Sequence, residues 1–316
     1  MIKFIILIVI ILIILLTLIL SYICYRIMSY SNPKKKNYEN IVLSGNYKKY
    51  VSEIEDLLNE FKKKEYEEIY IKSYDGLWLR GKYFHVSDTA PLVIGFHGYR
   101  SYSYLDMCGA SSEMFKMGYN FLLIDERAHG NSQGKTITFG IKEQYDCLSW
   151  VEYCVKRFKE NTKIILCGIS MGASIVLYAS SLDIPKNVVL ICADCPFSSP
   201  KAIVKEVIKK LKLPKISYIF AFLGALIFGH FNLKKFNGLE KIKKSHTPLL
   251  LIHGTNDNFV PCDMGKDIIK AYGGKDFSNK KLLLVEEADH GLSYFYDKEK
   301  YRNSIKEFLD KIIKDT

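Results

Sequence analysis

The most constraining feature of the sequence is a serine held between two glycines where an apolar run meets a helical run. Gly168-Ile169-Ser170-Met171-Gly172 follows the apolar segment Lys163–Cys167 and begins a segment with helical spacing. Glycines permit a tight turn that a Cβ would obstruct, and a helix N-terminus favours developing negative charge. The pattern predicts a strand-turn-helix unit that presents Ser170 as a nucleophile. A plain glycine-flanked turn is the alternative.

Alternating strand and helix patterns surround this unit. Asp75-Gly76 is a hairpin signal, and the later apolar runs are typical of strands covered on both faces. The predicted strands are Glu68–Ser73, Leu77–Phe84, Leu92–Phe96, Phe121–Asp125, Lys163–Gly168, Val188–Ala193, Leu249–His253 and Lys281–Glu286. The predicted helices are Tyr47–Lys64, Tyr104–Met117, Ile141–Phe158, Met171–Leu182, Asp263–Ala271 and Lys298–Ile313. This order predicts an α/β fold with a mostly parallel eight-stranded sheet and helices on both faces.

A base and an acid follow later strands, at the sheet edge that should carry Ser170. His290 comes after the last predicted strand, and Asp257 comes after the strand before it. A serine hydroxyl needs a base to remove its proton, and the imidazole needs a carboxylate to orient it. We predict Ser170, Asp257 and His290 as a catalytic triad. Asp194 is the alternative acid, whereas Asp289 adjoins the histidine and is less able to reach its ring.

Two backbone N–H groups are predicted to stabilise an oxyanion. One belongs to Met171, directly after the nucleophile. The other belongs to Tyr99 in the loop His97-Gly98-Tyr99-Arg100, which follows the strand Leu92–Phe96. Both loops leave the same edge of the sheet, where preorganised donors stabilise a tetrahedral intermediate.

An apolar insertion interrupts the alternation at about residues 200–245. Its second half, Tyr218–Phe231, carries too many large apolar groups to remain in water together. We predict a helical cap above Ser170, in which Phe222 and Leu226 bind an apolar acyl group. A cap that only packs on the domain is the alternative.

The N-terminus carries an uncharged apolar run, Phe4–Tyr25. Its length matches the hydrocarbon core of a bilayer, and it lacks the small residues of a signal-peptide cleavage site. We predict an anchor at residues 1–28, a linker and surface helix at 29–67, and a catalytic domain at 68–316 that is complete without the anchor. The basic residues Arg26 and Lys34–Lys36 follow the run, so the positive-inside rule favours a cytoplasmic catalytic domain.

The net charge of +11 is carried by scattered lysines without a nucleic-acid-binding motif. It therefore favours a basic surface with some attraction to membranes over nucleic-acid binding. Cys192 and Cys195 lack the further ligands of a zinc site. The pattern requires no metal or cofactor, and the eight cysteines are read as mainly buried thiols.

From about Glu68 onward the chain resembles the α/β-hydrolase superfamily, and in particular bacterial membrane-anchored hydrolases of uncharacterised substrate. Besides the triad, the resemblance rests on Phe96-His97-Gly98-Tyr99, on the segment 125–132 and on Thr138-Phe139-Gly140. In the segment 125–132, Glu126 stands where relatives usually carry an apolar residue.

The resemblance implies a serine hydrolase that cleaves a carboxylic ester or related acyl bond in a small or lipid-like substrate. The alternatives are a peptidase, thioesterase or acyltransferase with the same triad. A catalytically silent, membrane-bound binding module is a further alternative. The motifs are specific for the fold and the nucleophile, but one fold supports many chemistries.

Overall fold

A computed structural model describes residues 1–32, 45–158, 161–274 and 277–314. Within them the chain forms an eight-stranded sheet in the order β1-β2-β4-β3-β5-β6-β7-β8. The strands are β1 (Glu67–Lys72), β2 (Trp78–Phe84), β3 (Leu92–Phe96), β4 (Asn120–Ile124), β5 (Ile164–Ile169), β6 (Val188–Asp194), β7 (Leu249–Gly254) and β8 (Lys280–Val285). Strands β3 to β8 are mutually parallel, while β2 is antiparallel to both β1 and β4. The sheet is therefore mixed and mostly parallel, as predicted.

Helices cover both faces of this sheet. The helices of the described residues are α1 (Ile2–Met28), α2 (Val51–Lys62), α3 (Ser103–Lys116), α4 (Glu143–Arg157), α5 (Met171–Ala179), α6 (Pro200–Lys210), α7 (Ser217–Ile227), α8 (Gly238–Ile242), α9 (Cys262–Ala271), α10 (Ser293–Tyr296) and α11 (Lys298–Lys314). One apolar core lies under α4, α5 and the cap helices, and a second lies under α2, α3 and α11. The short helices α8 and α10 were not predicted, because one turn is too short to show a hydrophobic period.

The strand predictions agree with the structure to within one residue at each end. Every residue of β3, β4, β6 and β7 is buried, which explains why these strands are continuous apolar runs. The carboxyl ends of the parallel strands meet at one edge of the sheet. We call this the catalytic edge, because the loops after β3, β5, β7 and β8 all leave from it.

The segment before the sheet differs from its prediction at its start. Gly45–Tyr50 forms a 3-10 turn, and only then does the amphipathic helix α2 begin. Ile54 and Phe61 are buried, and α2 packs on α3, as expected of a surface helix. The predicted linker at residues 33–44, with its lysines 34–36, lies outside the described residues.

The N-terminal helix α1 has two parts with different surroundings. Side chains from Ile2 to Leu20 are exposed or half-exposed. Beyond them, Ser21 and Tyr25 are buried against α7, where Gly224 lets the two helices touch: a Cβ at that glycine would overlap the Ser21 carbonyl. The last two turns of α1 thus pack against α7, and the expectation that the catalytic domain is complete without residues 1–28 stays a prediction, against which this packing argues.

Candidate active site

The turn at Ser170 has the geometry that its two glycines allow. Ser170 has φ 56° and ψ −112°, outside the helical region, directly between β5 and α5. A Cβ at Gly168 would overlap the backbone of Gly172, and a Cβ at Gly172 would overlap the Phe96 carbonyl. The glycines thus let the turn pass close to β3, and the strained serine is held above the catalytic edge.

The three residues of the predicted triad come together. The Ser170 Oγ lies 2.9 Å from His290 Nε2, and His290 Nδ1 lies 2.8 Å from Asp257 Oδ2. These contacts join residues separated by 120 and 33 positions in the chain. If Nδ1–H donates to the carboxylate, the Nε2 lone pair faces the serine hydroxyl, which is the tautomer that a general base requires.

Asp257, rather than Asp194, faces the imidazole. Asp257 Oδ1 accepts hydrogen bonds from the N–H groups of Phe259 and Val260, at 2.8 and 2.7 Å, and its Oδ2 faces His290 Nδ1 and, at 3.3 Å, His253 Nε2. Asp194 instead accepts the hydroxyl of Ser293 at 3.2 Å. Both ring nitrogens of His290 thus face other groups, Nδ1 facing Asp257 and Nε2 facing Ser170.

The pKa values of Asp257 and Asp194 are shifted in opposite directions. Burial alone would raise the pKa of Asp257, but hydrogen bonds with His253 and His290 hold that pKa well below its usual range. Burial raises the pKa of Asp194 to about 6, against a partial opposing effect of His253 and the Ser293 hydroxyl. Asp257 is thus ionised at neutral pH and suited to stabilising an imidazolium.

Asp289 ties two loops of the site together. Its Oδ1 accepts the N–H of Asn258 and the N–H of His290, each at 2.8 Å. These bonds join the loop after β7 to the loop after β8. The side chain therefore supports the position of the histidine without reaching its ring.

The loop after β3 approaches the nucleophile as predicted. A Cβ built on Gly98 would lie 3.4 Å from the Ser170 Cβ, and the Gly98 N–H donates to Asp106 Oδ2. The N–H groups of Tyr99 and Met171 form no hydrogen bond within the described residues. The predicted oxyanion hole needs two such N–H groups without a partner in the protein.

Two buried histidines support this loop. His97 Nδ1 is 2.8 Å from the Gly98 carbonyl, and its Nε2 accepts the N–H of Glu126. His129 Nε2 accepts the N–H of Arg100 at 3.0 Å. These two rings and the Glu126 carboxyl cluster closely enough to hold a metal ion. Their Nε2 lone pairs are already engaged, however, so the cluster suits a structural role.

An almost wholly apolar cavity of about 350 Å³ opens beside Ser170. Cap residues of α6 and α7 line it, but Phe222 and Leu226 do not. Leu226 is exposed, and the Phe222 ring faces the Lys234 ammonium. The substrate-binding prediction chose the wrong face of α7, and Ser217 and Ala221 line the cavity instead. The helix is apolar on all sides, so its pattern does not mark the inward face.

The last turn of α1 lines the same cavity, which sequence reasoning missed. Cys24, Ile27 and Met28 contribute to its wall. The Tyr99 hydroxyl donates to the Met28 carbonyl at 2.7 Å, and Arg100 Nη2 donates to the carbonyl of Ile27 at 2.7 Å. The loop after β3 thus caps the C-terminal carbonyls of α1. Ser21 and Tyr25, polar groups within the apolar run, are the sequence signal that this end of α1 packs on the protein.

Tyr47 is a second residue missed from sequence. Its hydroxyl donates to the backbone carbonyl of His290 at 3.2 Å and lies under Gly291. Burial raises the pKa of Tyr47 well above its usual value, so the phenol remains a donor at neutral pH. The segment before the sheet therefore reaches the loop that carries the predicted base.

Known proteins share this fold and parts of this sequence. The family described as serine aminopeptidase, S33, matches residues 87–225. An uncharacterised protein of Bacillus subtilis, YqkD, is 26% identical over 279 residues, which cover 88% of each chain. An uncharacterised membrane protein of Saccharomyces cerevisiae is 27% identical over 61% of this chain and 62% of its own. The esterase Pf2001 of Pyrococcus furiosus superposes with a TM-score of 0.66 at 26% identity, covering 90% of this chain and 98% of that one.

Fold, site geometry and these similarities agree. The chain is a member of the α/β-hydrolase superfamily, and it is an esterase-like hydrolase enzyme. Helix α1 is the one helix in the described ranges that is long and apolar enough to cross a membrane, a property that a signal sequence shares. Together with the yeast membrane protein, it points to membrane association.

Proposed function

We propose that the protein is a serine esterase in which Ser170, His290 and Asp257 act as nucleophile, general base and orienting acid. The Ser170 hydroxyl would pass its proton to His290 Nε2 while Oγ attacks the acyl carbonyl carbon. The carbonyl electron pair moves to oxygen, where the N–H groups of Tyr99 and Met171 stabilise it. Collapse of this intermediate breaks the bond to the leaving alkoxide, which takes the proton from Nε2.

The second half of the reaction uses the same groups in reverse. Water gives a proton to His290 Nε2 and attacks the carbonyl of the acyl-enzyme. Collapse then releases the carboxylic acid, and Ser170 regains its proton. Asp257 remains ionised throughout and stabilises the imidazolium that forms in each half.

The observation that carries the proposal is the pair of contacts at 2.9 and 2.8 Å that joins the serine, the imidazole and the buried carboxylate. The test is hydrolysis of umbelliferyl butyrate by the wild type and by Ser170→Ala. We expect Ser170→Ala to retain only a small fraction of the wild-type kcat and to keep its thermal unfolding transition. Near-normal turnover by a folded Ser170→Ala protein would contradict the assignment.

A second candidate is cleavage of an amide bond, which the S33 aminopeptidase description of the matching family favours. The site itself favours esters of apolar acids. An aminopeptidase needs an anion to bind the substrate's amino terminus, and the described residues that line the cavity include no aspartate or glutamate. Parallel assays with umbelliferyl esters, thioesters and aminoacyl amides separate these activities.

We also propose that α1 remains attached and anchors the chain by a single span. Its bare part, Ile2–Leu20, is uncharged except for Lys3. Arg26 and the lysines at 34–36 follow it, which favours a cytoplasmic catalytic domain. Protease protection of the chain in right-side-out vesicles, read with an antibody to its C-terminus, tests both the attachment and the side.

A further inference from the structure

The mouth of the cavity is bounded by apolar side chains that face outward. Four residues that line the cavity are also exposed: Ile27 (66%), Leu211 (62%), Leu213 (48%) and Phe259 (39%). We call these four the mouth rim. An apolar rim around an apolar cavity is unfavourable in water and typical of a surface that meets a partner or a membrane.

Lysines interleave with the rim on its cap side. The end of α6 and the start of its connection to α7 read Lys-Lys-Leu-Lys-Leu-Pro-Lys over residues 209–215, and all seven are exposed. Leu211 and Leu213 of this segment belong to the mouth rim. Apolar side chains set among lysines are the pattern with which proteins bind anionic membrane surfaces, rather than the pattern of a soluble protein's core.

The length of the bare part of α1 indicates at what depth in a bilayer the mouth of the cavity would lie. Ile2–Leu20 has no packing partner on most of its surface and spans about 28 Å at about 1.5 Å per residue. A bilayer's hydrocarbon core is about 30 Å thick. If this part fills the core, the docked turns from Ser21 to Met28 lie at the headgroup level. Ile27, and with it the mouth rim, then faces the membrane surface.

We propose that the cavity opens onto the bilayer and takes its substrate from it, so that the natural substrate is a membrane-resident ester with an apolar acyl chain. The proposal rests on the esterase function above and names its substrate class. The acyl chain would enter past Ile27 and Leu213 without crossing water, and its carbonyl would meet Ser170 at the inner end. The end of α1 is then a wall of the acyl site as well as the end of an anchor.

The first test locates the rim directly. Full-length protein in phosphatidylcholine vesicles carries Leu213→Trp or, as the matched control, Val86→Trp. Val86 is exposed between β2 and β3, at the edge of the sheet opposite the catalytic edge. We expect brominated phosphatidylcholine to quench the added fluorescence of Leu213→Trp and to leave that of Val86→Trp unchanged. Equal quenching of both, or quenching of neither, contradicts the proposal, as does burial of the Leu213→Trp ring by self-association without lipid contact.

The second test asks whether contact with the membrane serves turnover. The substrate is umbelliferyl oleate in vesicles of ether-linked phosphatidylcholine and phosphatidylglycerol, which cannot themselves be cleaved as esters. The variant carries Lys209→Gln, Lys212→Gln and Lys215→Gln. Its control carries Lys62→Gln, Lys63→Gln and Lys64→Gln and loses the same charge. Lys64 lies over Phe115 at the far end of α3, remote from the mouth.

We expect the cap variant to lose about tenfold or more in turnover of the vesicle-borne oleate, and the control to lose little. Each lysine at an anionic surface is worth a factor of about five in association. High salt should remove the difference. Equal rates for the two variants at low salt would overturn the proposal.

Umbelliferyl butyrate in detergent separates this inference from the esterase function. Suppose that the wild type cleaves the butyrate, that Ser170→Ala does not, and that the two lysine variants turn over the vesicle-borne oleate at equal rates. Then only the proposal of a membrane-facing mouth is wrong. If no ester is cleaved in either setting, the esterase function itself fails.

Discussion

The catalytic edge and the wall of the apolar cavity are built in different ways. At the catalytic edge, Ser170, Asp257 and His290 each follow a parallel strand, and backbone hydrogen bonds fix these strands in register. The cavity wall instead joins helices that are far apart in the chain, α1 with α6 and α7. Under the proposed function, the chemistry sits on strands that are fixed by hydrogen bonds, whereas substrate choice depends on helices that only pack together.

The largest expected effect tests the assignment of Asp257 at the catalytic edge. Asp257→Asn should lower kcat for umbelliferyl butyrate by about four orders of magnitude, because the amide no longer holds the tautomer or stabilises the imidazolium. Steady-state kinetics at matched thermal stability measure the loss. Asp194→Asn is the control and should keep near-normal turnover. A crippled Asp194→Asn with an active Asp257→Asn would reverse the assignment.

The raised pKa of Asp194 leads to a prediction about the free energy of unfolding. The pKa of Asp194 is raised to about 6 in the folded protein, above its usual value of 3.8. Between these two values the unfolded chain releases the proton while the folded chain retains it, so this group destabilises the fold progressively as pH rises. Above about pH 6 the effect is complete, at about 3 kcal/mol.

Asp194→Asn should remove that contribution. The variant should gain stability relative to the wild type as pH rises from about 4 to 6, with a constant difference above 7. Urea denaturation at several pH values measures it. A difference that does not change across this window would show that Asp194 is not held in a proton-retaining site.

Two deletions separate the bare and docked parts of α1. Deletion of residues 2–20 should leave the turnover of soluble umbelliferyl butyrate intact, because the docked turns remain. Deletion of residues 2–28 also removes Cys24, Ile27 and Met28, and with them the carbonyls that hold Tyr99 and Arg100. Misplacement of an oxyanion loop by about 1 Å can cost about 10²-fold. We expect a loss of that order in kcat/KM, and equal activity of the two deletions would show that α1 is an anchor only.

The smallest expected effect concerns Tyr47. Tyr47→Phe removes the hydroxyl that donates to the His290 carbonyl but keeps the ring in place. One neutral hydrogen bond contributes about 1 kcal/mol, so kcat/KM should fall by no more than about fivefold. A loss as large as that of Asp257→Asn would give Tyr47 a direct part in the reaction.

The sequence predicts the residues of the catalytic edge well and those of the cavity wall poorly, for a physical reason. Strand ends and glycine turns are local signals, and they locate Ser170 and His290 because parallel strands share one carboxyl edge. In α7 every face is apolar, so the pattern does not distinguish Ala221, which lines the cavity, from Leu226, which faces outward. The apolar run of α1 likewise does not show where its exposed part ends and its docked part begins, which depends on the approach that Gly224 permits.

Covalent labelling tests the central claim most directly. A fluorophosphonate reacts only with a serine whose hydroxyl is activated by a neighbouring base. Peptide mass spectrometry of the labelled full-length protein should then place the adduct on Ser170 alone. Asp257→Asn should label far more slowly, and Asp194→Asn should label at the wild-type rate. An adduct on another serine, or an intact folded protein that does not react, would contradict the account.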